Sequence, residues 1–151
     1  MSSDLETGGF PIDGFNRPEE SVAHLAFTRN QKRAYYTICD YVGKSRKIRC
    51  QLYYQDKKEN GTWSEAKALP EYINRKGFTT THPTVIYDEN DQEMLLFSSN
   101  CPGGVGQLDI WYTEVGGKGK FSKAVNFSQI NINLLLRTLP FFIGRRLEQF
   151  F

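Results

Sequence analysis

The stretch that decides the fold reads Thr81-His82-Pro83-Thr84-Val85-Ile86-Tyr87, then Asp88-Glu89-Asn90-Asp91, then Met94-Leu95-Leu96-Phe97-Ser98-Ser99. A loop follows, Asn100-Cys101-Pro102-Gly103-Gly104-Val105-Gly106-Gln107-Leu108, and a third run, Asp109-Ile110-Trp111-Tyr112-Thr113. Short aromatic and β-branched runs separated by turn chemistry predict antiparallel strands rather than helices. Pro83 fits such a strand at its first residue, where no interior ladder bond is lost. Pro102-Gly103-Gly104 supplies the backbone freedom needed where the chain reverses.

The same pattern occurs earlier. Asn60-Gly61-Thr62-Trp63-Ser64-Glu65-Ala66 matches Lys118-Gly119-Lys120-Phe121-Ser122-Lys123-Ala124 at a spacing of 58. Leu52-Tyr53-Tyr54 matches Ile110-Trp111-Tyr112, and His24 matches His82, at that same spacing of 58, while Ile73-Asn74 returns as Ile130-Asn131 at 57. Four matches in register define a repeat with about four short strands per unit, expected in the first unit at Ala23 to Phe27, Ala34 to Cys39, Gln51 to Gln55 and, as an edge-like last strand, from Trp63 to Leu69.

The order His-Pro, polar bend, Leu-Phe-Ser-Ser, Pro-Gly-Gly, Leu-Asp-Ile-Trp, Gly-x-Phe-Ser and Ile-Asn resembles a WD-repeat-like β-propeller unit. The type is that of the TolB propeller and of bacterial cell-envelope proteins of the outer-membrane-protein-A-associated class. Residues 82–131 carry the resemblance closely and 22–74 more loosely, with His24-Leu25 in place of His-Pro. It implies an all-β chain of two four-stranded antiparallel blades, part of an incomplete propeller. The expected division is an irregular lead-in at 1–20, one blade at 21–75, a second at 79–132 and an atypical tail at 133–151. In the tail, Thr138-Leu139-Pro140 weakly echoes Thr81-His82-Pro83, as the start of a truncated third repeat would.

The resemblance further implies a non-catalytic module of a periplasmic or outer-membrane-associated protein. Its partners would be protein or cell-wall glycan, reached through the parent protein, together with the missing blades of the same propeller. The alternative is the propeller portion of a hydrolase such as a prolyl-oligopeptidase-like peptidase, with the chemistry in a separate domain. A propeller is a scaffold with many uses, so the repeat bears on fold more than on function.

Composition agrees with an all-β fold: 14% aromatic residues and 13 glycines in 151. A net charge of +2 is too small to argue for nucleic acid. No apolar run reaches the roughly 20 residues of a membrane helix, and Met1 to Glu20 has no signal-peptide pattern. In the lead-in, Phe10, Ile12 and Phe15 are available to pack on a neighbouring blade. Lys44, Arg46, Lys47 and Arg49 crowd the loop after the second strand, where charges discourage edge pairing.

Candidate site residues reduce to repeat positions. His24 and His82 recur once per unit, which argues for blade packing or an inter-strand hydrogen bond rather than metal binding. Trp63 and Phe121 are expected to fill one hydrophobic position between blades, where a large aromatic buries the most area. Asn60-Gly61-Thr62-Trp63 invites comparison with sialidase Asp-box turns, but the glycine spacing and the aspartate are wrong. Asp109 is expected to bond turn amides at the start of the strand that carries Trp111. No nucleophile elbow, phosphate loop or paired carboxylates appear, so no catalytic residue, metal or cofactor is assigned.

Cys39, Cys50 and Cys101 lack the short spacings of zinc or redox motifs. Cys39 and Cys50 flank one predicted hairpin loop. Free, partly buried thiols are the expectation there, and a bridge formed in an oxidising compartment is the alternative.

Overall fold

The computed structural model describes residues 14–15, 17 and 19–127. They form two four-stranded antiparallel sheets, with a single turn of 3-10 helix at Gly117–Gly119 and no α-helix among the described residues. The first sheet is β1 (Ser21–Phe27), β2 (Arg33–Tyr41), β3 (Ile48–Asp56) and β4 (Lys67–Ala68), in that spatial order. The second is β5 (Thr80–Tyr87), β6 (Glu93–Ser99), β7 (Asp109–Glu114) and β8 (Val125–Asn126), again in order. Two consecutive meanders of this kind are two blades of propeller type.

The pleat sends successive side chains to opposite faces, and the first sheet packs on both. Tyr35, Leu52 and Tyr54 point towards the second sheet and meet Leu95, Phe97, Trp111, Val115 and Phe121. Their neighbours Ala34, Tyr36, Ile38 and Tyr53 point the other way, into a second cluster with Phe15 and Trp63. We call the face turned towards the following unit forward and the opposite one rear. Leu69 and Ile73, from the connection between the sheets, complete the core between them.

Three details differ from the sequence expectation. Pro83 is not the first residue of its strand: β5 begins at Thr80, and the proline lies where the register shifts between Thr81 and Thr84. A bulge is the other place where a strand tolerates a residue without an N–H. The last strand of the first sheet, expected from Trp63 to Leu69, shrinks to Lys67–Ala68, and Trp63 makes an isolated bridge to Lys57. Ser64 explains the break, because its hydroxyl accepts the Asp56 amide in place of a ladder bond. Cys39 and Cys50 form a disulfide rather than staying free. The two are directly opposed on β2 and β3, with Cα atoms 4.0 Å apart, a closeness the sequence spacing did not reveal. Cys101 is free and buried.

Gly14 and Phe15, near the end of the lead-in, take part in the repeat. Gly14 packs on Trp63 as Tyr72, 58 residues later, reaches Phe121 through a hydrogen bond to its carbonyl oxygen. Phe15 fills the rear cluster as Ile73 fills the core between sheets. Phe10, Ile12, Ile130-Asn131, the remainder of the second unit after Phe127, and the 133–151 tail lie outside the described residues.

Candidate functional site

Chemistry-bearing side chains concentrate along the seam where β1 and β5 run side by side. Midway along it, His24 and His82 stack with ring centroids 3.7 Å apart. Each sits at its strand's register shift, and each has φ 54°, in the left-handed region. Histidine is one of the few non-glycine residues enriched there. The bulge turns both rings out of the ladder and towards each other. The Thr81 hydroxyl lies 3.4 Å from His24 Nδ1 and the same distance from the Thr37 hydroxyl. Burial, then the neighbouring His82, lowers the His24 pKa from its ordinary 6.5, so the neutral ring is favoured.

At the end of the seam a phenol–carboxylate network ties the sheets. Glu93 accepts hydrogen bonds from the Tyr35 hydroxyl at 2.9 Å and the Tyr87 hydroxyl at 3.4 Å. Tyr87 accepts the Arg29 amide at 2.9 Å, and the Arg29 guanidinium lies 4.0 Å over the Tyr87 ring while reaching Asp91. Arg33 binds Asp56 through two parallel bonds of 2.6 and 3.1 Å. These last groups line a polar cleft of about 250 Å³ with Thr28, Asn30 and Lys32. Burial chiefly raises the pKa of Tyr35 and of Tyr87, keeping both phenols protonated as donors to Glu93.

The remaining expected positions fall elsewhere. Asp109 receives the Gly106 amide at 3.1 and 3.0 Å on its two oxygens. Gly104 lies so close to this carboxylate that any Cβ there would overlap it. Trp111 is buried between the sheets, with Gly103 against its ring edge. Phe121 packs edge-on to Tyr35 and Tyr54, whereas Trp63 packs on Phe15 at the rear of the first sheet. Trp63 and Phe121 make matching bridges, to Lys57 and to Val115. The structure therefore brings His24 and His82 together and leaves Asp109 apart from them, at the first residue of β7.

Sequence reading missed Arg29, Arg33, Tyr35, Asp56, Tyr87 and Glu93. A signal was present, because Arg29–Tyr87 and Tyr35–Glu93 are each separated by 58 residues. These two partners across the seam stand one period apart. Among the described residues no group of three or more His, Cys, Asp or Glu is placed to hold a metal ion. No helix among them is long and apolar enough to cross a membrane.

No family model matches the chain, and no curated protein matches it.

Proposed function

We propose that the chain is a non-catalytic β-propeller module of a bacterial cell-envelope protein, a scaffold that binds protein or cell-wall glycan in the periplasm. The observation that carries this reading is the use made of the polar side chains along the seam. Histidine stacks on histidine, two phenols share Glu93, and Arg33 is matched to Asp56. A catalytic acid or base needs a reacting atom within reach, and these groups face one another instead. The repeat's resemblance to TolB-type units supplies the envelope assignment. The Cys39–Cys50 bridge supports it, since disulfides persist in oxidising compartments such as the periplasm.

The test has two arms. Purified chain is co-sedimented with isolated peptidoglycan sacculi and, separately, cross-linked in intact periplasm with identification of the captured proteins. Retention on sacculi, or one reproducible envelope partner, is expected, and failure of both would remove the assignment. Turnover of a peptidase, esterase or glycosidase substrate that is abolished by one substitution at His82 or Asp109 would overturn the non-catalytic reading.

A further inference from the structure

The end of the molecule opposite the Glu93 network carries positive charge and exposed apolar surface side by side. Tyr35, near the start of β2, meets Glu93, the first residue of β6. Further along, Thr37 meets Thr81, which pairs with Ser98 near the end of β6. The two strands therefore run the same way, and the loops that follow them, 42–47 and 100–108, leave the sheets together at the far end. Thr79 ties the two: its hydroxyl accepts the Cys50 amide at 3.4 Å, and its own amide donates to Asn100 at 2.8 Å. The first hairpin reaches further than the second. Ile38 opposes Gln51 as Ser99 opposes Asp109, but in the first sheet Cys39–Cys50, Asp40–Arg49 and Tyr41–Ile48 follow as further pairs. At about 3.4 Å per residue they lengthen the hairpin by about 10 Å. The disulfide braces this extension at its base.

The tip of that hairpin is basic and its flanks are apolar. Lys44, Arg46, Lys47 and Arg49 stand against one acid, Asp40, so residues 40–49 carry a net +3 on a chain whose total is +2. Lys44, Arg46 and Lys47 are exposed, and none of the four cations is in an ion pair among the described residues. The repeat does not require them, because the corresponding loop 100–108 has no charged residue. Tyr41 and Ile48, directly opposed below the turn, are 65% and 57% exposed, and in the neighbouring loop Val105 and Leu108 are 88% and 54% exposed. The turn itself is held in shape: the Val42 amide donates to the Lys47 carbonyl, and the Ser45 hydroxyl donates to that of Val42. We propose that this end of the molecule is a docking surface for an anionic phospholipid bilayer. The cations gather acidic headgroups, each contributing roughly fivefold in affinity. The aliphatic tips enter the boundary between headgroups and acyl chains, and Tyr41 lies there with its ring buried and its hydroxyl wet. Charge complementarity selects the sign of the lipid, and side-chain type selects a bilayer over nucleic acid. Single strands are held on aromatic stacking platforms, whereas Ile48, Val105 and Leu108 are aliphatic.

This inference rests on the placement of the two loops and not on a role in the envelope, so the sacculus and cross-linking results do not bear on it. It is tested by co-sedimentation of the full chain, purified with its disulfide intact, with large unilamellar vesicles. One set is phosphatidylcholine alone, and the other is equal parts phosphatidylcholine and phosphatidylglycerol. Binding to the mixed vesicles, little to the neutral ones, and release at high salt are expected. Lys44→Gln, Arg46→Gln and Lys47→Gln combined should weaken binding on the order of 100-fold. Val105→Ser with Leu108→Ser, which leaves the charge unchanged, should weaken it at least about tenfold. That pair should not alter retention on heparin, a soluble polyanion without acyl chains. Circular dichroism should show the sheets of both variants intact. No binding by the wild type, equal binding to both vesicle sets, or binding that survives both groups of substitutions overturns the proposal. Heparin or single-stranded DNA bound as tightly as the mixed vesicles, with the serine pair silent, overturns it in favour of a soluble polyanion.

Discussion

Leu52 and Ile110 occupy the same rung of their two sheets, 58 residues apart, yet Leu52 is 0% exposed and Ile110 is 51% exposed. Both belong to strands that alternate regularly, and both point forward. The difference lies in what stands opposite. Leu52 meets the rear of the second sheet, and Ile110 meets solvent in the single chain. Burial here is a property of the stack of sheets more than of the strand, and the energetic weight of a residue follows its neighbour across the seam.

The sharpest way to break this comparison is to truncate both residues. Leu52→Ala should cost about 2–5 kcal/mol by urea denaturation, the range for a buried leucine that leaves a cavity. Ile110→Ala should change stability by less than about 0.5 kcal/mol. Equal costs would mean that the forward face of the second sheet is covered within the monomer. The next effect separates the sheets by covalent chemistry. The first has the Cys39–Cys50 bridge, and Cys101 in the second is free. Replacing both bridged cysteines by alanine should lower stability by about 2–3 kcal/mol, as expected for a short closed loop. Hydrogen exchange should show protection falling first in β2 and β3, and an equal fall in β6 and β7 would contradict it.

A smaller effect belongs to the phenol network. Tyr35→Phe leaves Glu93 with Tyr87 as its remaining phenol partner. The loss should be about 1.5–3 kcal/mol, the range for a hydrogen bond to a charged group. A neutral result in urea denaturation would show that water serves Glu93 equally well. The smallest effect is the pH response of the His24 imidazole. The folded His24 pKa lies below 6.5, so above that pH neither folded nor unfolded chain is protonated at this ring and the residue adds no pH dependence. As pH falls below 6.5 the unfolded chain takes up the proton first, and stability declines. The melting temperature should therefore drop between about pH 7 and pH 5, and His24→Asn, which also tolerates a left-handed backbone, should reduce that slope. An unchanged slope would assign the response to other groups.

Much of the architecture was legible in the sequence, because short aromatic and β-branched runs and turn residues act locally. Asp88-Glu89-Asn90-Asp91 marked a reversal, and in the structure the Asp88 carboxylate takes the amides of Asn90 and Gln92. The recurrence at 58 marked two similar units. Less legible were features decided by partners distant in the chain. Pro83 looked like a strand start because a bulge leaves no composition of its own. The disulfide depended on Cys39 and Cys50 being directly opposed, a matter of hairpin register rather than of spacing. The Glu93 network was hidden because Tyr35 and Glu93 are unremarkable until a stacked neighbour brings them within 2.9 Å. Phe15 was visible only as an apolar residue in a Gly/Pro-rich lead-in, although its distance from Ile73 is the repeat period.

The separation of 58 that recurs across the seam bears on how such an array can grow. The stacked histidines, the Arg29–Tyr87 bond and the Tyr35–Glu93 bond each close a loop of 58 residues. Loop-closure entropy depends on loop length, so tandem duplication of a whole unit would bring a new seam at the same entropic cost as the first. Insertions inside a unit would lengthen that loop and displace every contact after them. Duplication in units of one period, with length changes confined to hairpin tips, is the route of enlargement that leaves every existing contact in place.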